Sequence, residues 1–365
     1  MKIVLDNIIF SNVTNGGVSN YWFEMIKFLK KNDKDDLFFI DQTKGYENFH
    51  RKQLNFSVNE IKTVKTNLFS RVSKIKLETN APFLYHSSYY RPIKSNQPYR
   101  EVTTIHDFIH NFHAPFLKKI AHNRIKFDSI KRSNGIICVS KNTYSDMMKF
   151  CPAKKNQKVE VIYVGVSDDY FPIENLSKEE NSFLKKHEIE QKSFLLFIGN
   201  RTNYKNFDFV IKLLENDKNL KLVTVGGGVF TKEELLKIKN NLSQIIQLFN
   251  LDNKNLNILY NSAIALIYPS KYEGFGIPII EAMKANCVVI GYRQPIIEEI
   301  AGNAAILLDN LSISEFENSI NKLNQSSTYK KELLELGLEN AKKYSWEKCV
   351  KETREFYDLV SSPSL

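Results

Sequence analysis

Residues 268–283 read YPSKYEGFGIPIIEAM. The apolar run IALIYP (264–269) predicts a buried strand that ends at Pro269, and a helix is expected from Gly276 to Ala285. Between them lies a short loop containing Glu273, Gly274, Phe275 and Gly276. A turn of this kind brings the first N–H groups of a helix, unpaired within it, to the carboxyl edge of a sheet. There, with the positive helix end, they can hold an anion or sugar hydroxyls. Gly274 and Gly276 allow a close approach that a side chain would block. Glu273 sits in the loop and Glu281 lies five residues past Gly276, so a helix starting near Gly276 lets both carboxylates face one ligand.

The surrounding sequence repeats this strand-then-helix rhythm. SFLLFIG (193–199) precedes a helix at 204–216, and NLKLVTVGGG (219–228) precedes one at 231–240. IIQLF, CVVIG (287–291) and AAILLD (304–309) read as further strands, NKNLNILYNSA (253–263) as a short helix, and 311–325, 328–343 and 345–360 as helices. In the first half, KIVLD (2–6), FLYHS (83–87), EVTTIH (101–106), GIICVS (135–140) and VEVIYV (159–164) alternate with helical patterns at 18–31, 115–132 and 141–149. Alternation of this kind predicts parallel sheets covered on both faces. A length of 365 residues predicts two domains. The expected division is 1–168, a polar and acidic linker at 169–192, 193–343, and a closing helix at 344–365.

A second block, FIGNRTNYKNFDFVI (197–211), places Arg201 and Lys205 four apart at a helix start, where two cations can neutralise a departing diphosphate. Gly16-Gly17 follows the first strand, and His106 and Asp107 end another in TTIHDFIH. His86 in YHSSYYRP, with Tyr89, Tyr90 and Arg91, completes the candidate binding residues of the first half.

Composition bounds the function classes. Residues 1–170 carry 27 lysines and arginines against 16 aspartates and glutamates, so the net +10 resides in the first half. Such a half suits an anionic partner: lipid headgroups, a diphosphate-linked acceptor or nucleic acid. The helix at 115–132 mixes apolar and basic residues and is read either as a surface for anionic membrane or as a core helix with a solvated basic face. The cysteines 138, 151, 287 and 349 have neither zinc nor disulfide-scaffold spacing and are expected to be reduced packing residues. No apolar run is long enough to span a bilayer and the start lacks a signal-peptide pattern, so the expected location is cytoplasmic, with the inner membrane face as a possible peripheral site.

The 268–283 string resembles the signature of glycosyltransferase family 4, the retaining GT-B transferases of the glycosyl transferases group 1 type. Pro269, Ser270, Tyr272 to Gly276, Pro278 and Glu281 to Met283 carry the resemblance. The segment Gly199 to Asn206 is similar to that family's donor-diphosphate site, with Arg201 and Lys205 in the expected places. The resemblance implies two Rossmann-like domains facing across a cleft, with a C-terminal helix crossing back to the N-terminal domain. It implies that Glu273, Arg201, Lys205 and His106 serve turnover. Glu273 would touch sugar hydroxyls, the Gly274–Ile277 backbone would hold sugar and phosphate, and Glu281 would meet the ribose. Gly16 and Gly17 would border the donor phosphate, and His106 would approach an outer sugar hydroxyl. His86, Tyr89, Tyr90, Arg91 and Asp107 are the acceptor-side candidates. Asn286 and Val288 stand where the family usually has Gly and Pro; asparagine tolerates positive φ, so the turn can survive. Phe249 and Asn253 replace a usual glycine and aspartate near the nucleobase, which leaves the base open.

The implied reaction moves a sugar from a UDP- or GDP-sugar to a saccharide or lipid-linked acceptor with retention, in surface polysaccharide (O-antigen) or glycolipid synthesis. No cofactor and no metal are expected. Two rival readings remain: a basic nucleic-acid-binding protein, which leaves the 268–283 string unexplained, and an NAD-dependent dehydrogenase, which needs a G-x-G-x-x-G that is missing here. A nucleotide-sugar epimerase of the same fold is a third.

Overall fold

A computed structural model describes residues 1–14, 16–31, 35–67 and 70–362. The chain divides into two compact units: unit 1, Met1–Gly165 with Ser345–Leu365, and unit 2, Val166–Tyr344.

Unit 1 contains β1 (Lys2–Asp6), β2 (Asp36–Gln42), β3 (Ile61–Val64), β4 (Ile75–Leu77), β5 (Phe83–Ser87), β6 (Ile93–Ser95), β7 (Tyr99–Ile105), β8 (Gly135–Cys138) and β9 (Lys158–Val161). Seven of these form a sheet in the order β3-β2-β1-β5-β7-β8-β9, and β4 pairs with β6 beside it. Unit 2 contains β10 (Phe194–Ile198), β11 (Lys221–Val225), β12 (Ile245–Leu248), β13 (Ala265–Tyr268), β14 (Val289–Tyr292) and β15 (Ile306–Leu308), ordered β12-β11-β10-β13-β14-β15. Every ladder in both sheets is parallel. Unit 2 therefore has the Rossmann strand order, and its direction of winding reverses between β10 and β13, where ligands bind beyond the carboxyl ends.

The central strands are buried on both faces, which is why FLLFI and ALIY read as unbroken apolar runs. The helix Phe207–Asn216 buries Phe207, Val210, Ile211 and Leu214, spaced three and four apart, against Leu195, Leu222, Ile267 and Ile290 of the sheet. Helix starts are capped by side chains: Ser177 with Glu180 and Thr231 with Glu234 form capping boxes. Asn286 has φ 55° and ends the turn after the helix Ile277–Lys284 where a glycine was expected. In the nucleobase-side turn the positive φ falls on Asn250 (49°), one residue after Phe249.

The stretch 169–192, read as a linker, is part of unit 2. It carries a helix, Lys178–Lys186, and Phe171 and Ile173 donate backbone N–H bonds to Asn257 and Asn261. Those asparagines lie on the helix Asn253–Ser262, so a polar segment is held by polar side chains rather than by an apolar strand. The closing helix, Trp346–Ser361, packs on the helix Gly17–Lys30 and on β7 and β8 within unit 1; residues 363–365 of that expected segment lie outside the described residues. Arg354 clamps Asp35 through two bonds of 2.5 and 2.6 Å. Among the described residues, no helix is long and apolar enough to cross a membrane.

Candidate active site

At the reversal point of unit 2, the loops after β10 and β13 meet. Lys205 ends a single 3₁₀ turn, Asn203–Lys205, and Asn206 follows at φ 54° to start the next helix. The backbone N–H of Lys271 donates to Tyr204 O (2.7 Å), tying one loop to the other. Lys205 Nζ then lies 2.5 Å from Glu273 Oε1 and 3.4 Å from the Tyr268 hydroxyl. Lys205 and Glu273 are only 9% and 7% exposed, so this charge pair is largely withdrawn from solvent. Gly276, at φ 100°, starts the helix Ile277–Lys284 with Pro278 in its first turn, the position where proline's missing N–H costs nothing. Phe275 turns its ring onto Tyr344, which leaves only its backbone for a ligand.

Glu281 accepts a 2.8 Å hydrogen bond from the Tyr260 hydroxyl. Burial pushes its carboxyl up to about 7, against hydrogen bonds from Tyr260 and Tyr170 that favour the charged form. Arg201 takes a different course from Lys205. Its Nε donates to Glu234 (2.8 Å), and its two terminal nitrogens donate to the carbonyls of Gly226, Gly227, Gly228 and Val229 at 3.0–3.3 Å. It also stacks over Phe230. The guanidinium thus holds the glycine turn after β11, whose three glycines all have positive φ, and is not directed at the Lys205–Glu273 pair.

Unit 1 has its own reversal point, between β1 and β5. A pocket of about 250 Å³ opens there, lined by Ile9, Val13, Gly16 to Ser19, Tyr89, Tyr90, His106, Asp107, His110 and His122. The start of the helix Gly17–Lys30 borders it, with Gly16 at φ 150°.

Residues 177–344 match the family described as Glycosyl transferases group 1. An uncharacterized glycosyltransferase of Methanocaldococcus jannaschii is 27% identical over 99% of both chains. The O-antigen chain mannosyltransferase B of Escherichia coli is 25% identical, over 94% of this chain and 96% of its own. Among solved structures, Anabaena Alr3699/HepE in complex with UDP and glucose superposes with a TM-score of 0.73 over 99% of both chains, at 13% identity. This chain is a GT-B glycosyltransferase carrying a glycosyl transferases group 1 domain.

In this glycosyltransferase the expected residues fall into three groups. Lys205, Glu273, Gly274, Gly276, Ile277 and Glu281 cluster at the reversal point of unit 2, with Arg201 displaced to the neighbouring glycine turn. Gly16, Gly17, Tyr89, Tyr90, His106 and Asp107 line the pocket of unit 1. His86 and Arg91 belong to neither. His86 is fully buried: Nδ1 meets the Tyr357 hydroxyl at 2.6 Å and Nε2 meets Thr104 at 3.0 Å. It sits on an interior strand whose faces are both covered, so its imidazole fastens the closing helix to the sheet. Arg91 is 3% exposed, with its guanidinium 3.6 Å from Asp6 and donating to Ser73 O, and the buried Asp6 carboxylate explains why it turns inward.

The two clusters also contain residues that the sequence did not single out. Tyr268 was read only as the end of a strand, although it lies within the diagnostic string. Glu234 serves both the capping box and Arg201, and a Thr-x-x-Glu start is a legible signal for the first of these only. His110 and His122 were legible as histidines near His-Asp, but nothing in their spacing of twelve announces contact.

Proposed function

We propose that the protein transfers a sugar, with retention of anomeric configuration, from a UDP- or GDP-sugar to a saccharide or lipid-linked acceptor in surface polysaccharide or glycolipid synthesis. The observation that carries this reading is the buried Lys205–Glu273 pair beside the Gly276 helix start, at the reversal point of a Rossmann sheet. Lys205 and the helix start offer positive charge to the departing diphosphate, and Glu273, fixed by Lys205, offers its free lone pairs to sugar hydroxyls. These charges do the work of a divalent cation, so turnover needs no metal.

A Glu273 carboxylate committed to an ammonium is a positioning group and is poorly placed as a nucleophile or base. The bond from the anomeric carbon to phosphate oxygen breaks as the acceptor oxygen bonds the same carbon on the same face, and the acceptor proton passes to the departing phosphate. Glu281 receives the ribose. The O-antigen assignment of a relative at 25% identity supports a surface saccharide product, and the UDP complex of a structural neighbour supports the donor class.

Membrane-side work is supported by Phe112, Phe116, Leu117 and Ile120, which are 44%, 74%, 80% and 49% exposed beside Lys118 and Lys119.

The test is a thermal-shift panel of UDP, GDP, ADP and NAD, each with magnesium and with a chelator. A chelator-insensitive rise with UDP or GDP supports the reading and names the base. A rise with NAD alone, or no response to either diphosphate, overturns it.

A further inference from the structure

Glu281, on the helix Ile277–Lys284, is partly buried, so one side of its carboxylate is open to a ligand. The other side is held from within the protein by two tyrosines. Tyr260, on the helix Asn253–Ser262, is fully buried and donates its hydroxyl to Glu281 Oε2 at 2.8 Å. Tyr170 comes from the polar stretch that opens unit 2 and is 3% exposed. Its hydroxyl is shared between Glu281 and Asn253 Oδ1, the latter at 3.2 Å. The two rings meet edge to face, with centroids 5.8 Å apart and planes at 78°.

The tyrosines are anchored in turn. Asn253 donates to Asp169 Oδ2 at 2.8 Å, and the N–H groups of Phe171 and Ile173 bond Asn257 and Asn261. Lys284 reaches back to Ser167 O at 3.0 Å. Residues 167–173 are thus bonded to both of the helices that carry Tyr260 and Glu281.

The chemistry says what this scaffold does. An ionised carboxylate only accepts, through about four lone-pair sites. Here the inner sites are taken by hydroxyl donors, while Lys284, on the next turn of the same helix, is drawn off to Ser167 and Asp168. The outer sites remain for donors from outside, and two adjacent hydroxyls match them. A glutamate side chain is flexible, and an untethered one loses that freedom when its ligand arrives. Tethered by two tyrosines, Glu281 loses it on folding instead, and its outer lone pairs keep one direction. Both tyrosines are buried, so they act through Glu281 and do not reach a ligand themselves.

We propose that Tyr260 and Tyr170 are positioning residues for the donor. They hold Glu281 so that its outer lone pairs meet the ribose 2′- and 3′-hydroxyls, and thereby make the site select ribonucleotides over deoxyribonucleotides. The proposal rests on the reading of Glu281 as the group that receives the ribose and deepens it: two side chains that never touch the ribose build the selection.

The test is calorimetric titration of the full chain with UDP or GDP, whichever the thermal-shift panel names, and with the 2′,3′-dideoxy analogue of the same diphosphate. The parent should bind the ribonucleotide about tenfold more tightly, the scale of one hydrogen bond to a charged group. Tyr260→Phe keeps the ring and should lose about fivefold for the ribonucleotide, while staying within about twofold of the parent for the dideoxy analogue. Tyr170→Phe should act in the same direction, and it carries the test if Tyr260→Phe does not fold. On a Glu281→Ala background, Tyr260→Phe should change neither affinity, because the group it acts through is gone. Equal losses for both nucleotides would make the tyrosines staples between helices. No loss for either would leave Glu281 self-supporting, and a tyrosine effect that survives Glu281→Ala would route it elsewhere. Each of these overturns the proposal, as does a parent with no preference for the ribonucleotide. The parent also keeps the two readings separable. A protein that binds UDP or GDP with a ribose preference untouched by both tyrosine variants loses the positioning role alone, whereas one that binds neither diphosphate loses the donor reading with it.

Discussion

Lys205 and Glu273 illustrate how a functional pair also bears on stability. Removing one member strands a buried charge, which costs about 3–5 kcal/mol, whereas removing both charges together is often nearly neutral. Lys205→Met should therefore lower the melting temperature clearly, and Lys205→Met with Glu273→Gln should recover most of that loss. Turnover should stay down by about 10²–10³-fold or more in both, because the charge facing the diphosphate is gone. A double variant that regains stability and activity together would reduce the pair to a structural role. Arg201 calls for a different experiment. Lysine has no planar fork, so Arg201→Lys cannot serve Glu234 and four carbonyls at once. It should cost about 1–3 kcal/mol and speed hydrogen exchange at residues 226–229; unchanged exchange there would mean that the turn holds itself. At this scale the sequence was legible where backbone geometry dictates residue type, as at Gly276 and Asn286. It was silent where a long side chain chooses among partners: Arg201 and Lys205 are equivalent cations on paper, and only the folded glycine turn, rich in outward carbonyls, separates them.

Elements followed the same division. The interior strands of both sheets were readable because burial on two faces demands unbroken apolar runs, and the closing helix because Trp346, Val350, Thr353 and Tyr357 bury one face. The strand Asp36–Gln42 is hard to read because its apolar core, Leu37 to Ile40, is flanked by Asp36 and Asp41; Asp41 is buried by pairing with Arg51 at 2.5 Å and accepting a hydrogen bond from Asn7 at 2.6 Å. The seven-residue helix Pro295–Ala301 was missed because it is too short to show a period. His86 was placed in a binding site because a histidine near tyrosines and arginine suggests one, yet its partner, Tyr357, lies 271 residues away. That contact predicts the behaviour of the closing helix. Tyr357→Phe leaves a buried imidazole nitrogen unpaired and should cost about 1–3 kcal/mol in unit 1. Gly165→Ala should be worse, about 3 kcal/mol or more, because an added Cβ would fall 2.3 Å from the Trp346 backbone nitrogen, where no side chain can yield. Equal urea midpoints for Gly165→Ala and the parent would show that the chain at 165 can shift without loss.

On the scale of the whole molecule, the two units carry opposite responses to acid. Six of the seven histidines lie in unit 1, and burial drives at least five of them down: His50 and His106 to about 4, His86 and His122 to about 3, and His110 in the same direction. As pH falls from the ordinary histidine value of 6.5 toward 4, the unfolded chain takes up protons that folded unit 1 refuses. Unit 1 therefore loses stability across that window, at up to about 1.4 kcal/mol per pH unit for each fully differential proton. Asp6 and Glu101 offset part of this, since burial raises them to about 6 and about 7 against their ion pairs with Arg91 and Arg132. In unit 2 burial raises the Glu281 carboxyl to about 7. Folded unit 2 binds that proton more tightly than the unfolded chain does between pH 7 and 4.5, so its stability rises as pH falls through that range. Scanning calorimetry from pH 7.5 to 5 should accordingly show two transitions drawing apart, with the one stabilised by UDP or GDP moving up. Glu281→Gln, which cannot ionise, should flatten that upper transition and leave the lower one on its course. If the nucleotide-sensitive transition falls with acid as steeply as the other, Glu281 ionises normally in the folded protein and is already solvated enough to meet a ribose without giving up a proton.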